Sequence, residues 1–255
     1  MSRIHADLNR IERVEDVRIL FAVESGSRAW GFPSPDSDYD ARFVYVRKPD
    51  WYLSLAPGRD VIELPIEDDF DTNGWDIRKA LSLLLKPNPV LLEWLSSPMR
   101  YRWNESACSQ LLTFAKRTAH ARACLHHYLS VSRRLWNEFV EGREQVNLKK
   151  YFYILRPVLC IAWIREQPGE IPPMSLPDLM AGVDLSSGLR SAVEDLLALK
   201  ARTSEVGAGA RIGVLDEVIL REWAWADRQD IRDTPQPGLH EEAEAMFRAF
   251  VKAQV

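Results

Sequence analysis

Long apolar runs are missing from this 255-residue sequence. Its apolar stretches are too short to span a bilayer, and residues 1–16 lack the apolar core of a signal peptide. We therefore expect no membrane partner and a cytoplasmic location. The sequence contains three cysteines, at positions 108, 124 and 160. They are too few and too scattered for a disulfide framework, which agrees with a reducing compartment.

Several catalytic and nucleotide-binding motifs are also missing. The sequence contains no Gly-x-Gly-x-x-Gly and no Gly-x-x-x-x-Gly-Lys-Ser/Thr, which argues against a Rossmann dinucleotide site and a P-loop ATPase. It has no Gly-x-Ser-x-Gly elbow, so hydrolysis by a serine triad has no support. There is no internal repeat. Any catalytic or nucleotide-binding site must therefore be built from residues outside these three motifs.

The composition is that of a globular protein, with 46% hydrophobic and 27% charged residues. The net charge of -4 hides a basic segment, since residues 100–160 carry 11 Lys and Arg against 4 Asp and Glu, a net charge of +7. Such a segment attracts a polyanion such as nucleotide or RNA. The alternative is that these charges lie on solvated helix faces.

Hydrophobic patterning predicts a sheet-bearing domain followed by a helical one, with a boundary near residue 100. The expected strands cover residues 17–23, 42–46 and 61–66, after a helix over 4–16. Prolines 87 and 89 should interrupt the helical pattern of 74–98. Beyond that point the pattern predicts a helix of more than thirty residues from about 104, a helix over 147–167, a loop over 168–178, and helices over 188–203 and 214–227.

The segment "GSRAWGFPSPDSDYDARFVYV", residues 26–46, combines several polar features ahead of an apolar run. Asp38 and Asp40 are separated by one residue, so on a strand both would project from the same face. Paired carboxylates repel one another unless a cation lies beside them, and such oxygen ligands suit Mg²⁺. Gly26 allows a tight turn, Ser27 adds a hydroxyl, and "RAWG" is expected to open a short helix. A turn of that kind holds phosphate.

The combination of "GS", ten residues, "DYD" and an apolar run resembles the signature of the DNA polymerase β superfamily of nucleotidyltransferases. "NGWDIRKALSLLLKPNPVLLEWLSSP" and "KKYFYILRP" extend the resemblance to its predicted branch associated with RNA repair. The resemblance implies an α+β fold, with a nucleotidyltransferase-type sheet domain and flanking helices over 1–100 and an all-helical domain over 101–255. It also implies that Gly26 and Ser27 grip a triphosphate, and that Asp38 and Asp40 bind two Mg²⁺ ions, with Mn²⁺ as an alternative.

The superfamily uses a third carboxylate on an adjacent strand, which completes the metal site and helps to activate the incoming hydroxyl. We expect Asp71 to fill this role, because a strand around 69–73 beside the Asp38-Asp40 strand would place it next to them. The alternative for Asp76 is a position at a helix N-terminus, where the helix dipole stabilises a negative charge. The alternative carboxylates near this point are Glu63, Glu67, Asp68 and Asp69.

Further nucleotide contacts are expected from a helix of the second domain. Lys149, Tyr153 and Arg156 lie on one helical face, where Arg binds phosphate and Tyr stacks on a base. The alternative is an amphipathic helix with its polar side in solvent. Arg28 follows the Gly-Ser turn and is expected to reach the phosphates, or else to pair with Glu24 or Asp36.

The expected activity is Mg²⁺-dependent transfer of a nucleoside monophosphate from an NTP, with ATP among the candidates, to an acceptor hydroxyl, releasing pyrophosphate. An RNA end fits the resemblance, and a protein or small-molecule hydroxyl fits the acidic sequence pI of about 5.8. A nucleotide-binding regulatory module without turnover is the alternative from a different class. A third alternative is a partner-binding protein with a coincidental motif.

Overall fold

A computed structural model of the chain describes residues 2–56, 58–118, 120–202, 207–232 and 236–253. The chain forms two compact units. The first unit consists of Met1–Gly26, Asp38–Ala119 and Thr234–Val255, and the second of Ser27–Ser37 and His120–Asp233. These units are defined by packing, and the functional domains expected over 1–100 and 101–255 stay a prediction.

Eleven helices and seven strands lie in the described residues. In chain order they are α1 (Ser2–Glu15), β1 (Val17–Glu24), β2 (Tyr39–Arg47), α2 (Pro49–Tyr52), β3 (Val61–Glu63), β4 (Phe70–Asp76), α3 (Ile77–Leu85), α4 (Pro89–Leu95), β5 (Arg100–Trp103), α5 (Glu105–Arg117), α6 (Ala121–Phe139), β6 (Gln145–Asn147), α7 (Lys149–Glu166), α8 (Leu176–Gly182), α9 (Ser187–Arg202), β7 (Ala208–Ala210), α10 (Gly213–Ala226) and α11 (Leu239–Lys252). Across the described ranges, none of these helices has both the length and the apolar character needed to cross a bilayer.

The first unit is built on a five-stranded mixed sheet with the strand order β3-β4-β2-β1-β5. β2 and β4 run parallel, and the other neighbouring pairs run antiparallel. Helix α1 contributes Ile4, Leu8 and Ile11 to the core around this sheet, where all three are buried. Their spacing places them on one helical face, and burying each contributes about 1.5–3 kcal/mol. The expected α+β class, a sheet with flanking helices, is confirmed.

Local sequence signals fix the helices that follow β4. Asp76 caps α3, since its carboxylate accepts a hydrogen bond of 2.8 Å from the backbone N–H of Arg78. Asn88 caps α4 in the same way and is followed by Pro89 at the first helical turn. The predicted interruption by two prolines is confirmed, as is the placement of Asp76 at a helix N-terminus.

The second unit is mainly helical, and α7 lies at its centre. Most of α7 is buried, and Tyr151 ties it to α10 by donating a hydrogen bond of 2.7 Å to Asp216. This unit also contains β6 and β7, which pair antiparallel as a two-stranded sheet. The sequence patterns did not predict that small sheet.

Two expectations about helices were wrong, and one helix was not predicted. The single helix expected from residue 104 is two helices, because Thr118 takes an extended conformation after α5 and its hydroxyl donates to the carbonyl of Ala115. Helix α8 begins inside the loop expected over 168–178, where Ser175 caps it by accepting from the N–H of Asp178. Helix α11 was not predicted, although Leu239 is among its buried apolar residues.

Candidate active site

Two acidic residues meet on neighbouring strands of the first unit. Asp40 on β2 lies directly opposite Asp71 on β4 in the parallel register. Residues paired in this way project from the same face of a sheet. Arg42, two residues after Asp40, also lies on that face, and its Nη2 donates to Asp40 Oδ1 at 3.2 Å and to Asp71 Oδ2 at 2.6 Å. The predicted strand carrying Asp71 is confirmed, and the catalytic roles of the carboxylates stay predictions.

The site carries an excess of negative charge. Burial raises the pKa of Asp40 above its ordinary value, and the carboxylates of Glu24, Asp71 and Asp38 raise it further, while Arg42 opposes the rise. Asp38 comes immediately before the first residue of β2 and is therefore close enough to act on Asp40 electrostatically. One guanidinium faces several carboxylates, so the arrangement favours an additional cation.

Gly26 makes room for the carboxylate of Asp40. A Cβ at position 26 would lie 1.8 Å from Asp40 Oδ2 and 2.7 Å from Asp40 Cγ. The N–H of Ser25 donates to the carbonyl of Asp40 at 2.9 Å, which holds the turn against the strand. The N–H of Gly26 itself donates to Glu24 at 3.1 Å. The geometry therefore supports a steric role for Gly26, and its expected contact with phosphate stays a prediction.

Glu24 is a site residue that the sequence analysis did not propose. It is fully buried at the end of β1, and its Oε1 accepts from the N–H groups of Gly26 and Asp40, at 3.1 and 2.9 Å. Its Oε2 accepts from the hydroxyl of Tyr101. One carboxylate thus joins the glycine turn to the strand of Asp40. In the sequence Glu24 is a charged residue between an apolar run and Gly-Ser, a pattern that does not show that its side chain is buried.

Glu24→Ala is expected to lower the free energy of unfolding by about 3 kcal/mol, because it leaves the buried N–H groups of Gly26 and Asp40 without an acceptor. Glu24→Gln should lose less, since an amide oxygen still accepts both hydrogen bonds. Urea denaturation measures the difference. Tyr101→Phe is the comparison, because it removes the hydroxyl that donates to Glu24 Oε2 and leaves both N–H groups with their acceptor, so we expect a smaller loss of about 1.5–2 kcal/mol. Equal stability of Glu24→Ala and the wild type would refute this role.

The loop over residues 27–37 belongs to the second unit and is closed by polar contacts. Ser27 Oγ and Ser37 Oγ are 2.9 Å apart, and Ser37 Oγ accepts from the N–H of Ser34 at 2.8 Å. Arg28 Nη2 donates to the carbonyl of Ser37 at 2.6 Å. The short helix expected at "RAWG" is instead a turn, since Gly31 at φ 85° leaves helical geometry after one turn. Hydrogen bonds within the loop therefore hold Ser27 and Arg28 in place.

Two of the predicted nucleotide-binding residues on α7 contact this loop. The guanidinium of Arg156, which is buried, lies 4.6 Å from the centroid of a Trp30 ring. Tyr153 meets Trp30 and Phe32 edge-on, at 5.9 and 5.7 Å between centroids. Lys149 is half-buried at the start of α7. The alternative of a helix face wholly in solvent does not hold for Arg156, and contact of these three residues with nucleotide stays a prediction.

Lys200 on α9 anchors the same loop and was not proposed from the sequence. Its side chain is 1% exposed, and its Nζ donates to the carbonyl of Phe32. The ammonium also lies 4.6 Å from the centroid of the Phe32 ring. Burial, together with the positive charge of Lys149, lowers the pKa of Lys200 to about 8, and Asp36 opposes the shift.

The wild type is expected to gain stability relative to Lys200→Met as the pH rises from about 8 to the ordinary lysine value of 10.5. In that window the unfolded chain holds the Lys200 proton and the folded chain has lost it. Stability therefore rises with pH, by up to about 1.4 kcal/mol per pH unit. Below this pH window Lys200 is protonated in both the folded and the unfolded chain. The difference in free energy of unfolding between the wild type and Lys200→Met therefore stays constant there.

Urea unfolding of both proteins at a series of pH values from about 7 to about 10.5 measures this difference. Lys252→Met, at the exposed end of α11, is the matched control and should follow the wild type. Parallel curves for Lys200→Met and the wild type would contradict the assigned pKa.

Comparison with known proteins identifies the family. The family model described as "RNA repair pathway DNA polymerase beta family" matches residues 1–249. The chain belongs to this family. This confirms the resemblance stated above and identifies the chain as a DNA polymerase beta-type nucleotidyltransferase family member.

One relative of this family member comes from Bacillus subtilis (strain 168). It bears the name "Uncharacterized protein YcgL" and is 46% identical over 220 residues, covering 86% of this chain and 84% of the relative. A crystal structure of a nucleotidyltransferase-like protein from Exiguobacterium sibiricum 255-15 matches 99% of this chain and 89% of its own length. The identity there is 10% and the TM-score 0.29, a similarity too low to support further conclusions.

Membership of the RNA repair pathway DNA polymerase beta family implies use of a divalent metal ion. In the part of the chain that the structure describes, no group of three or more His, Cys, Asp or Glu is arranged to hold one. The carboxylates of Asp40 and Asp71 nevertheless both accept a hydrogen bond from Nη2 of Arg42. The missing Cβ of Gly26 makes room for Asp40 Oδ2 itself. Paired carboxylates in this position are chemically suited to Mg²⁺.

Proposed function

We propose that this protein transfers a nucleoside monophosphate from an NTP to an acceptor hydroxyl and releases pyrophosphate. The observation that carries the proposal is the register that pairs Asp40 with Asp71 on parallel strands, with Gly26 leaving space for one of the two carboxylates. Family membership supports the same reaction class. A pure binding module has no need for two carboxylates held so close together.

In the proposed reaction the acceptor oxygen attacks the α-phosphorus of the NTP. The bond from that phosphorus to the bridging oxygen of the β-phosphate breaks, and pyrophosphate leaves with the electron pair. Asp71 helps to remove the proton of the acceptor hydroxyl. Asp38 and Asp40, with Asp71, would hold two Mg²⁺ or Mn²⁺ ions, which supply charge neutralisation at the transferring and leaving oxygens.

The remaining predicted residues bind the nucleotide in this proposal. Ser27 and Arg28, which lie on the hydrogen-bonded loop over 27–37, contact the phosphates. Lys149 and Arg156 add positive charge, and Tyr153 offers a ring for stacking on a base. Neutralising a triphosphate requires several cationic or N–H donors, because it carries multiple charges.

An RNA end is the acceptor that we propose. The family description refers to RNA repair, and residues 100–160 carry a net charge of +7. Positive charge of this size favours a polyanionic partner over a neutral small molecule. A hydroxyl on a protein or a small molecule is the alternative acceptor.

The test is incubation of the protein with each α-³²P-labelled NTP, Mg²⁺ and an RNA that ends in a 3′-hydroxyl. We expect the label to appear in the RNA and pyrophosphate to be released in equal amount. The same RNA with a blocked 3′ end is the control and should stay unlabelled. Omitting Mg²⁺ should abolish labelling.

Other distributions of label contradict particular parts of the proposal. Label in a protein fraction or a small molecule, with none in RNA, would overturn the acceptor and retain the reaction. NTP binding by calorimetry without pyrophosphate release in the presence of RNA, protein lysate or small-molecule acceptors would overturn the reaction and favour a regulatory module. Absence of Mg²⁺-dependent NTP binding would overturn both the transfer reaction and the regulatory module.

A further inference from the structure

Arg42 contacts both paired carboxylates and also the main chain of the sheet. Its Nη1 donates to the carbonyls of Asp71 and Ala41, at 2.8 and 3.1 Å. Its Nη2 donates to the carboxylates of Asp71 and Asp40, at 2.6 and 3.2 Å. The Arg42 side chain is 14% exposed. The guanidinium is therefore fixed to the backbone of β2 and β4 as well as to the side chains that it joins.

The contacts of Arg42 use one oxygen of each carboxylate. They engage Asp40 Oδ1 and Asp71 Oδ2, while Asp40 Oδ2 lies in the space that Gly26 leaves beside it. A planar guanidinium restricts the orientation of the carboxylates it contacts, which a flexible ammonium does not. Arg42 thus orients the two carboxylates and reduces their mutual repulsion, yet leaves an oxygen of each for another partner.

We propose that Arg42 is a positioning residue that holds Asp40 and Asp71 in place to bind a divalent metal ion. This inference rests on the proposed function. The opposite hypothesis is that Arg42 competes with the ion, because both are cations. The main-chain contacts favour positioning, since a guanidinium held by two carbonyl groups does not need to leave when one oxygen of each carboxylate binds an ion.

The two hypotheses predict opposite changes in metal affinity. If Arg42 positions the carboxylates, Arg42→Met frees two repelling side chains and weakens metal binding. Loss of an outer partner of a metal ligand typically reduces affinity by about 10–100-fold. If Arg42 competes with the ion, its removal strengthens binding instead.

The test is titration with Mn²⁺ alone, followed by the electron paramagnetic resonance signal of the free ion. We expect the dissociation constant to rise by about 10–100-fold in Arg42→Met. Arg42→Lys should lie between Arg42→Met and the wild type, because an ammonium keeps the charge and loses the planar fork whose two nitrogens join the carboxylates to the main-chain carbonyls. Circular dichroism verifies that each variant is folded. If Arg42→Met does not fold, Arg42→Lys decides the question by the same measurement.

Arg47, at the other end of β2, offers a matched control. Its side chain is 13% exposed, and it joins a main-chain carbonyl and a carboxylate of the same residue, Glu15, at 2.9 and 3.2 Å. Arg47→Met therefore removes a similar set of contacts away from the paired carboxylates. We expect it to lower thermal stability and to leave Mn²⁺ affinity unchanged, which separates positioning from general structural support.

The outcomes separate the inference from the function beneath it. Equal or tighter Mn²⁺ binding by Arg42→Met or Arg42→Lys, with binding by the wild type intact, would overturn the inference alone. Equal weakening in Arg47→Met would also overturn it, because the effect would then not be specific to the carboxylates. Absence of Mn²⁺ binding by the wild type would overturn the proposed metal-dependent function and the inference with it.

Discussion

Asp40→Asn and Asp71→Asn are each expected to reduce nucleotidyl transfer by about 10²–10³-fold, in a folded protein. Both substitutions preserve the size of the side chain and remove its charge. Electrostatic groups aimed at the reacting oxygens typically account for rate factors of about this size. The initial rate of label incorporation from an α-³²P-labelled NTP measures the loss.

Stability should respond in a different direction from activity. The folded-state pKa of Asp40 lies above its ordinary value, so the folded chain holds this proton more tightly than the unfolded chain does. Ionisation at neutral pH therefore costs stability, and asparagine avoids that cost. We expect Asp40→Asn to melt at the temperature of the wild type or above it. A large loss of stability would indicate a structural role for the carboxylate.

Asp69 provides the control for the third carboxylate. It lies two residues before Asp71, outside β4, and its carbonyl accepts from the N–H of Tyr39. Asp69→Asn keeps that main-chain contact and should leave the rate unchanged. Full activity in Asp71→Asn together with a large loss in Asp69→Asn would contradict the choice of Asp71.

Individual strands could be predicted where the signals were local. The apolar run 17–23 became β1, and it is buried because β1 is an inner strand of the sheet. That the strand around 69–73 lies beside the Asp38-Asp40 strand was expected from the superfamily resemblance, which requires a third carboxylate on an adjacent strand. The parallel register of the two strands then places Asp40 opposite Asp71. Periodicity and turn residues sufficed for the individual strands because each signal extends over fewer than about ten residues.

Residues whose partners are distant in sequence could not be predicted in this way. Glu24 bonds to Tyr101, 77 residues away, and Lys200 bonds to Phe32, 168 residues away. A charged residue beside an apolar run resembles a solvated strand end until its buried partners are known. The helix break at Thr118 was missed for a related reason, since neither glycine nor proline marks it.

Gly26→Ala is expected to abolish transfer and to lower the free energy of unfolding by about 1–3 kcal/mol. The new Cβ would lie 1.8 Å from Asp40 Oδ2 and 3.0 Å from Asp40 Cβ, so the carboxylate or the turn must move. A displaced Asp40 no longer faces Asp71 in the observed arrangement. Urea denaturation and the rate of label incorporation measure the two effects.

Gly188→Ala is the matched control for this substitution. A Cβ at position 188, near the start of α9, meets no atom within 4 Å. Alanine is also a better helix former than glycine by about 1 kcal/mol. We expect this variant to be as stable as the wild type or more stable, and fully active.

A double-mutant cycle tests whether Asp40 is the obstacle at position 26. In the Asp40→Ala background the carboxylate atoms are gone and only the contact with the Cβ of residue 40 remains. Gly26→Ala should therefore cost less stability in that background than in the wild type. Equal cost in both backgrounds would mean that Gly26 serves another purpose, and the conformation of the turn itself would then be what requires glycine.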